Sequence, residues 1–144
     1  MPNRSVKEVI GKRSVPTAGI TTTVREAAKI MKQCRSSAIM VVDKGTLVGI
    51  CTERDIVFGV VADDLDPDKT GLAKVMTRKV QTIAPDKPFG HALHIMYEGG
   101  FRHVPVVDRA GYPVGLVTPQ DALDIDALQL HQDLVRREEI TTIL

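Results

Sequence analysis

Two aspartates, Asp55 and Asp121, each stand three residues after a threonine, in Thr52-Glu53-Arg54-Asp55 and Thr118-Pro119-Gln120-Asp121. Two chemistries fit that spacing. A threonine followed three residues on by an acidic side chain can close a reciprocal cap over a helix start, worth roughly 1 kcal/mol. Pro119 suits the first helical position, where a missing N–H does no harm. A carboxylate there can instead accept hydrogen bonds from two vicinal hydroxyls, as a ribose presents them, beside helix N–H groups that favour phosphate. Each motif is preceded by a glycine inside an apolar run, Gly49 or Gly115. Glycine in a strand often marks close approach by a ligand or by another backbone. Capping and binding can coexist at one position.

The elements that must place these motifs come in two copies. Laying Ala27–Met31 over Ala92–Met96 brings Ile30 onto Ile95 and Asp43 onto Asp108, 65 positions apart. One extra residue near Ala110 then brings Thr52 onto Thr118 at 66. Upstream, Lys7-Glu-Val-Ile10 resembles Ala73-Lys-Val-Met76 in pattern. In each copy, apolar residues recur at helical spacing (Val24, Ala27, Ala28, Met31; Phe89, Ala92, Leu93, Met96). Short β-branched runs follow at 38–42 and 104–107 and predict buried strands. Turn residues lead into second strands at 47–51 and 113–117, and helices begin at Thr52 and Thr118. Short extended segments at Val15–Ile20 and Val80–Ile83 precede each unit. This predicts repeats over 6–62 and 72–128, an acidic Pro/Gly connector over 63–71 and a C-terminal helical extension over 129–144. A unit of about 60 residues is a marginal folder alone, so two copies should share their apolar faces and leave clefts along the seam.

Composition excludes several functions. A formal charge of +1 supplies no general attraction for nucleic acid, and 3% aromatic residues offer little for base stacking. No apolar run reaches the roughly 20 residues of a membrane span, and the N-terminus lacks a signal-peptide core. Cys34 and Cys51 lack metal-type spacing and suit reduced thiols of a cytoplasmic protein. His91, His94 and Glu98 share a helical face, but their counterparts Glu26 and Lys29 mark it as solvent-side, and no metal site is expected. No nucleophile–base set is recognisable, so the protein is not expected to be an enzyme.

The stretches Val75–Asp86, Phe101–Asp108, Gly49–Ile56 and Gly115–Ala122 together resemble a tandem pair of cystathionine β-synthase (CBS) domains, a Bateman module, over nearly the whole chain. That resemblance implies an α/β fold of the mixed α+β kind. It has two βαββα repeats packed with pseudo-two-fold symmetry, followed here by the C-terminal helix. It also implies clefts for adenosyl compounds such as AMP, ADP, ATP, NAD or S-adenosylmethionine, with no obligatory cofactor. By family role, Asp55 and Asp121 would hold ribose, and Thr52 and Thr118 ribose or phosphate. Ile50, Leu116 and Val117, with the early segments including Ile20 and Ile83, would wall the adenine. Such modules regulate an attached or separate protein, and this chain reads as a stand-alone one.

Comparing the copies adds Arg102 and His103, which stand where Ser37 and Ala38 stand in the first repeat. A guanidinium suits bidentate phosphate contact and an imidazole adds a donor. Both are expected at the second repeat's site, with Asp121, making it the one that prefers phosphorylated ligands. Arg54 could serve phosphate in the first site, since Gln120 replaces it in the second. Finally, Leu123, Ala127, Leu130 and Leu134 form a helical seam. It suits either the protein's own core or, as the resemblance implies, a homodimer contact.

Overall fold

The chain is described by a computed structural model covering residues 4–13 and 16–143, with side chains through 139. Val15, the first residue of one expected extended segment, lies outside the described residues. The leading segment forms α1 (Val6–Ile10), started by Ser5, whose hydroxyl accepts from the Glu8 N–H. A short strand β1 (Thr17–Gly19) follows, then α2 (Val24–Cys34), capped by Thr23 and burying Val24, Ala27 and Met31 as their spacing requires. Strands β2 (Ala38–Asp43) and β3 (Thr46–Thr52) form a hairpin. Then α3 (Glu53–Ile56) runs into a π-helical turn at Val57–Val61.

The second copy repeats this order: α4 (Leu72–Val75), α5 (Phe89–Gly99), β4 (Val104–Val107), β5 (Pro113–Val117) and α6 (Pro119–Ile143). In the first copy β1 pairs parallel with β2, and β2 antiparallel with β3. In the second, β4 and β5 form the hairpin, and a single parallel bridge from Ile83 to Val106 replaces the third strand. Both hairpins carry an irregularity at the same place, between Val41 and Val42 and between Val106 and Val107. The duplication therefore extends to a backbone defect. The helix over 119–143 is unbroken, so the second repeat's last helix and the C-terminal extension are one element.

Two hydrophobic cores form, and each borrows from the other repeat. Val24, Ala27, Ile39, Val41, Cys51 and Val60 of the first repeat bury Leu72 and Met76, which come from the second repeat's leading helix. Reciprocally, Phe89, Ala92, Val104, Val106 and Val117 bury Val6 and Ile10 of α1. Backbone bonds secure the exchange: Val6 N–H donates to Lys87 O at 2.8 Å, and Ile50 and Thr77 exchange bonds at 3.0 and 2.8 Å. The exchange explains the strand glycines. A Cβ on Gly49 would sit 2.8 Å from Met76 Sδ and 2.9 Å from Thr77 O. One on Gly115 would sit 2.6 Å from Ile10 Cδ1. The close approach inferred at these glycines is made by the protein's own exchanged segments.

Candidate functional site

Each Thr-x-x-Asp motif stands at a strand-to-helix turn, and the two turns cap differently. Thr52 Oγ1 accepts from Asp55 N–H at 3.2 Å while Asp55 Oδ2 accepts from Thr52 N–H at 3.0 Å, a complete capping box. At the second turn Asp121 Oδ2 accepts from Thr118 N–H at 2.9 Å, and Asp121 N–H donates to the backbone oxygen of Thr118 at 3.0 Å. The helix-start role read from the spacing is therefore present in both copies.

Each turn also opens onto a cavity, and both cavities have the same three-part construction. The first, of about 350 Å³, takes the motif Thr52–Asp55 from one repeat and the helix-end loop Gly100–His103 from the other. Thr77, Lys79 and Val80, which follow the exchanged helix α4, complete it. The second, of about 710 Å³, takes Thr118, Gln120 and Asp121, the loop Cys34–Ser37 and, after exchanged α1, Arg13 and Pro16. Both volumes fall in the range of small-molecule sites.

This construction corrects the grouping of Arg102 and His103 with Asp121. They line the cavity of Asp55 together with Arg54, because each loop after α2 or α5 faces the motif of the opposite repeat. The two candidate phosphate partners, expected in different sites, thus converge in one. Arg54 lies over the Phe58 ring at 5.2 Å, a cation–π contact that orients its guanidinium. With Lys79 the first cavity presents three cations against Glu53 and Asp55.

Three residues expected as adenine walls go elsewhere. Val117 is fully buried in the second core, because its neighbour Leu116 takes the cavity face and successive strand residues point to opposite sides. Ile83 is buried in the same core, and Ile20 is half-buried against the first. Ile50 and Leu116 do line the cavities. Sequence reasoning missed Arg13, Thr77 and Lys79. Extending the 66-residue offset of the leading segments by three residues would have paired Arg13 with Lys79.

Two titratable groups near the first motif are shifted by burial. Burial pulls the His103 imidazole below its ordinary value; Glu53 and Asp55 oppose this and Arg102 adds to it. Burial thus favours the neutral imidazole, and its Nε2 makes a 2.7 Å hydrogen bond with Ser37 Oγ. Ser37 lines the second cavity, so this bond bridges the two sites. Burial, with the Asp55 charge adding to it, pushes the Cys51 thiol up to about 12. It is protonated beside the first motif and is no nucleophile. Thr77 Oγ1 makes long contacts of 3.4 Å with both Asp55 oxygens.

Comparisons with known proteins agree with this geometry. The CBS domain model matches residues 6–62 and 72–127. The CBS domain-containing protein CBSCBSPB1 of Arabidopsis thaliana is 42% identical over 97 residues, which are 67% of this chain and 18% of that protein's length. The CBS domain pair of protein MJ0100, solved with 5′-methylthioadenosine and S-adenosylmethionine, superposes with a TM-score of 0.78 at 32% identity. The superposition covers 88% of this chain and 98% of that one. The CBS domain protein PAE2072 of Pyrobaculum aerophilum, solved with AMP, gives 0.75 at 25% identity over 82% and 89% of the two chains. Duplicated hairpins, exchanged leading helices and matched seam cavities are thus found in a chain both of whose repeats fit one family model: it belongs to the CBS domain family, as a tandem pair.

Proposed function

We propose that the protein is an adenosine-nucleotide sensor that changes shape or partner affinity when a seam cavity fills. One observation carries this reading. Two cavities of equivalent construction each combine a single motif aspartate with cations, the chemistry of a ribose diol and a phosphate. Support comes also from the adenosyl ligands of two similar structures, one with AMP and one with S-adenosylmethionine and 5′-methylthioadenosine. The first cavity, with Arg54, Lys79 and Arg102, suits a phosphorylated ligand. A ligand shifts a conformational equilibrium only by its differential affinity for the two states, and walls drawn from both repeats supply that difference. The role is regulatory rather than catalytic. The two free thiols, Cys34 exposed and Cys51 buried, suit the reducing cytoplasm. Among the described residues no helix is long and apolar enough to cross a membrane.

Thermal melts with AMP, ATP, NAD, S-adenosylmethionine or 5′-methylthioadenosine test the reading. A ligand at a hundredfold excess over its Kd stabilises by about 2.7 kcal/mol. For a chain of this size that raises Tm by roughly 5–10 °C. A second reading is favoured by the complete cap at Thr52 and Asp55: a ligand-free structural or protein-interaction module whose Thr-x-x-Asp acts only as a helix cap. Melts unmoved by all five compounds would select it.

The same reading includes a homodimer through α6. Leu123 and Leu130 are each 61% exposed and Leu134 47%, while Ala122 and Ile125 face the core. The helical seam seen in the sequence is therefore the side that α6 turns away from its own protein. Light scattering should give a dimer mass for the full chain and a monomer mass after removal of residues 129–144. A monomer in both would end the dimer assignment.

A further inference from the structure

The two motif aspartates differ in what already holds them. Asp121 is 6% exposed, and its Oδ1 receives Arg13 Nη1 at 2.6 Å while Oδ2 receives Thr118 N–H. The guanidinium is seated by two further bonds, Nη2 to Leu116 O at 3.3 Å and Nε to Ile10 O at 3.2 Å. Both oxygens through which Asp121 could receive a sugar diol are thus engaged, one of them by a cation. In the first cavity the counterpart of Arg13 is Lys79, by the register that lays Ile10 on Met76. Lys79 lines that cavity, yet among the described residues Asp55 carries no ion pair. The exchanged leading segments therefore each deliver one cation to the opposite repeat's cavity. Arginine holds the carboxylate of one site, and lysine leaves that of the other without an ion pair among the described residues.

We propose that Arg13 determines the ligand specificity of the Asp121 cavity, an inference that rests on the nucleotide-sensor reading above. A neutral nucleoside entering this cavity must pull the buried Asp121 from its cation and offers the half-exposed guanidinium no anion in exchange, so a charge-assisted bond is lost without replacement. A phosphorylated nucleoside offers Arg13 a replacement, since a phosphate accepts the same two-pronged contact as a carboxylate. Arg13 can then turn from Asp121 to the phosphate and free the carboxylate for the sugar hydroxyls. The Asp121 cavity accordingly selects nucleotides over nucleosides by the difference between an exchanged and a broken ion pair. In the Asp55 cavity no such pair has to break, so its preference for phosphate comes from its own cations rather than from an exchange.

Calorimetry with adenosine and AMP on the full chain tests this, with Asp55→Ala silencing the first cavity. The AMP-to-adenosine affinity ratio of the remaining site should fall by tenfold or more when Arg13→Gln is added, with adenosine binding tighter than before. A ratio unchanged within twofold, or a remaining site that takes neither ligand with or without Arg13→Gln, overturns the proposal. Should Arg13→Gln not fold, Arg13→Lys recreates the cation of the first cavity. Lysine cannot make the two-pronged exchange, so the ratio should again fall with adenosine binding tighter, and a ratio held at the arginine value refutes the proposal. Failure of the wild-type chain to bind either ligand is a separate result, which removes the nucleotide reading itself.

Discussion

Asp55→Ala is expected to weaken AMP binding at the first cavity by about ten- to a hundredfold, read by calorimetry on the full chain. The expectation comes from counting partners. Asp55 Oδ2 is held by the Thr52 N–H, Oδ1 has only the long Thr77 contact, and no cation competes for the carboxylate among the described residues. The carboxylate is thus ready to receive a ribose diol. A hydrogen bond to a charged group contributes about 1.5–3 kcal/mol, and 1.4 kcal/mol is a factor of ten. Loss of the cap adds a stability cost of about 0.5–2 kcal/mol, which a melt without ligand measures separately. Asp55→Asn divides the two roles, because an amide oxygen still accepts the Thr52 N–H but lacks the charge that strengthens the diol contact. A ligand lacking the 3′-hydroxyl should lose affinity for wild type and lose no more for Asp55→Ala, since the two changes remove the same bond. Equal AMP affinity in wild type and Asp55→Ala would reduce the motif to a helix cap.

Leu72→Ala should lower stability by about 2–5 kcal/mol, the usual cost of emptying a buried leucine site. At roughly 2–4 °C per kcal/mol, the melting temperature should drop by roughly 4–20 °C. Leu72 belongs by sequence to the second repeat, but its side chain is 0% exposed within the first repeat's core, beside Val24, Ile39 and Val60. The substitution therefore tests the exchange of leading helices. If Leu72 lay on an exposed connector, the loss would be within about 0.5 kcal/mol. The exchange also makes the repeats interdependent. Each cavity contains a segment that follows an exchanged helix, with Thr77 and Lys79 in one and Arg13 in the other. Loosening α4 should therefore perturb the Asp55 cavity before it perturbs the Asp121 cavity.

Most of the fold was legible from local patterns. The 3.6-residue spacing of Val24, Ala27 and Met31 became α2, and the β-branched run from Ala38 became β2. The strand at Pro113–Val117 has the expected ends, and the doubled Thr-x-x-Asp marks both turns that open onto cavities. These features depend on residues close in sequence, where backbone geometry and side-chain alternation act directly. The duplication was legible because copies that keep one backbone also keep its buried positions.

Contacts between copies were not legible in the same way. An alignment of repeats says that Arg102 corresponds to Ser37, but not whether Arg102 faces Asp121 or Asp55. Two-fold packing turns each helix-end loop towards the other repeat's motif, and that choice is made by burying Leu72 and Ile10 in opposite cores. The wall assigned to Val117 failed for a smaller reason of the same kind. Periodicity separates two faces of a strand but does not say which face meets the seam and which the core. The sequence by itself determined the two repeats, their elements and the acidic side chain at each cavity. Only the tertiary structure decided which cations meet which aspartate, because hydrophobic burial is indifferent to chain order and joins the surfaces that leave the least apolar area in water.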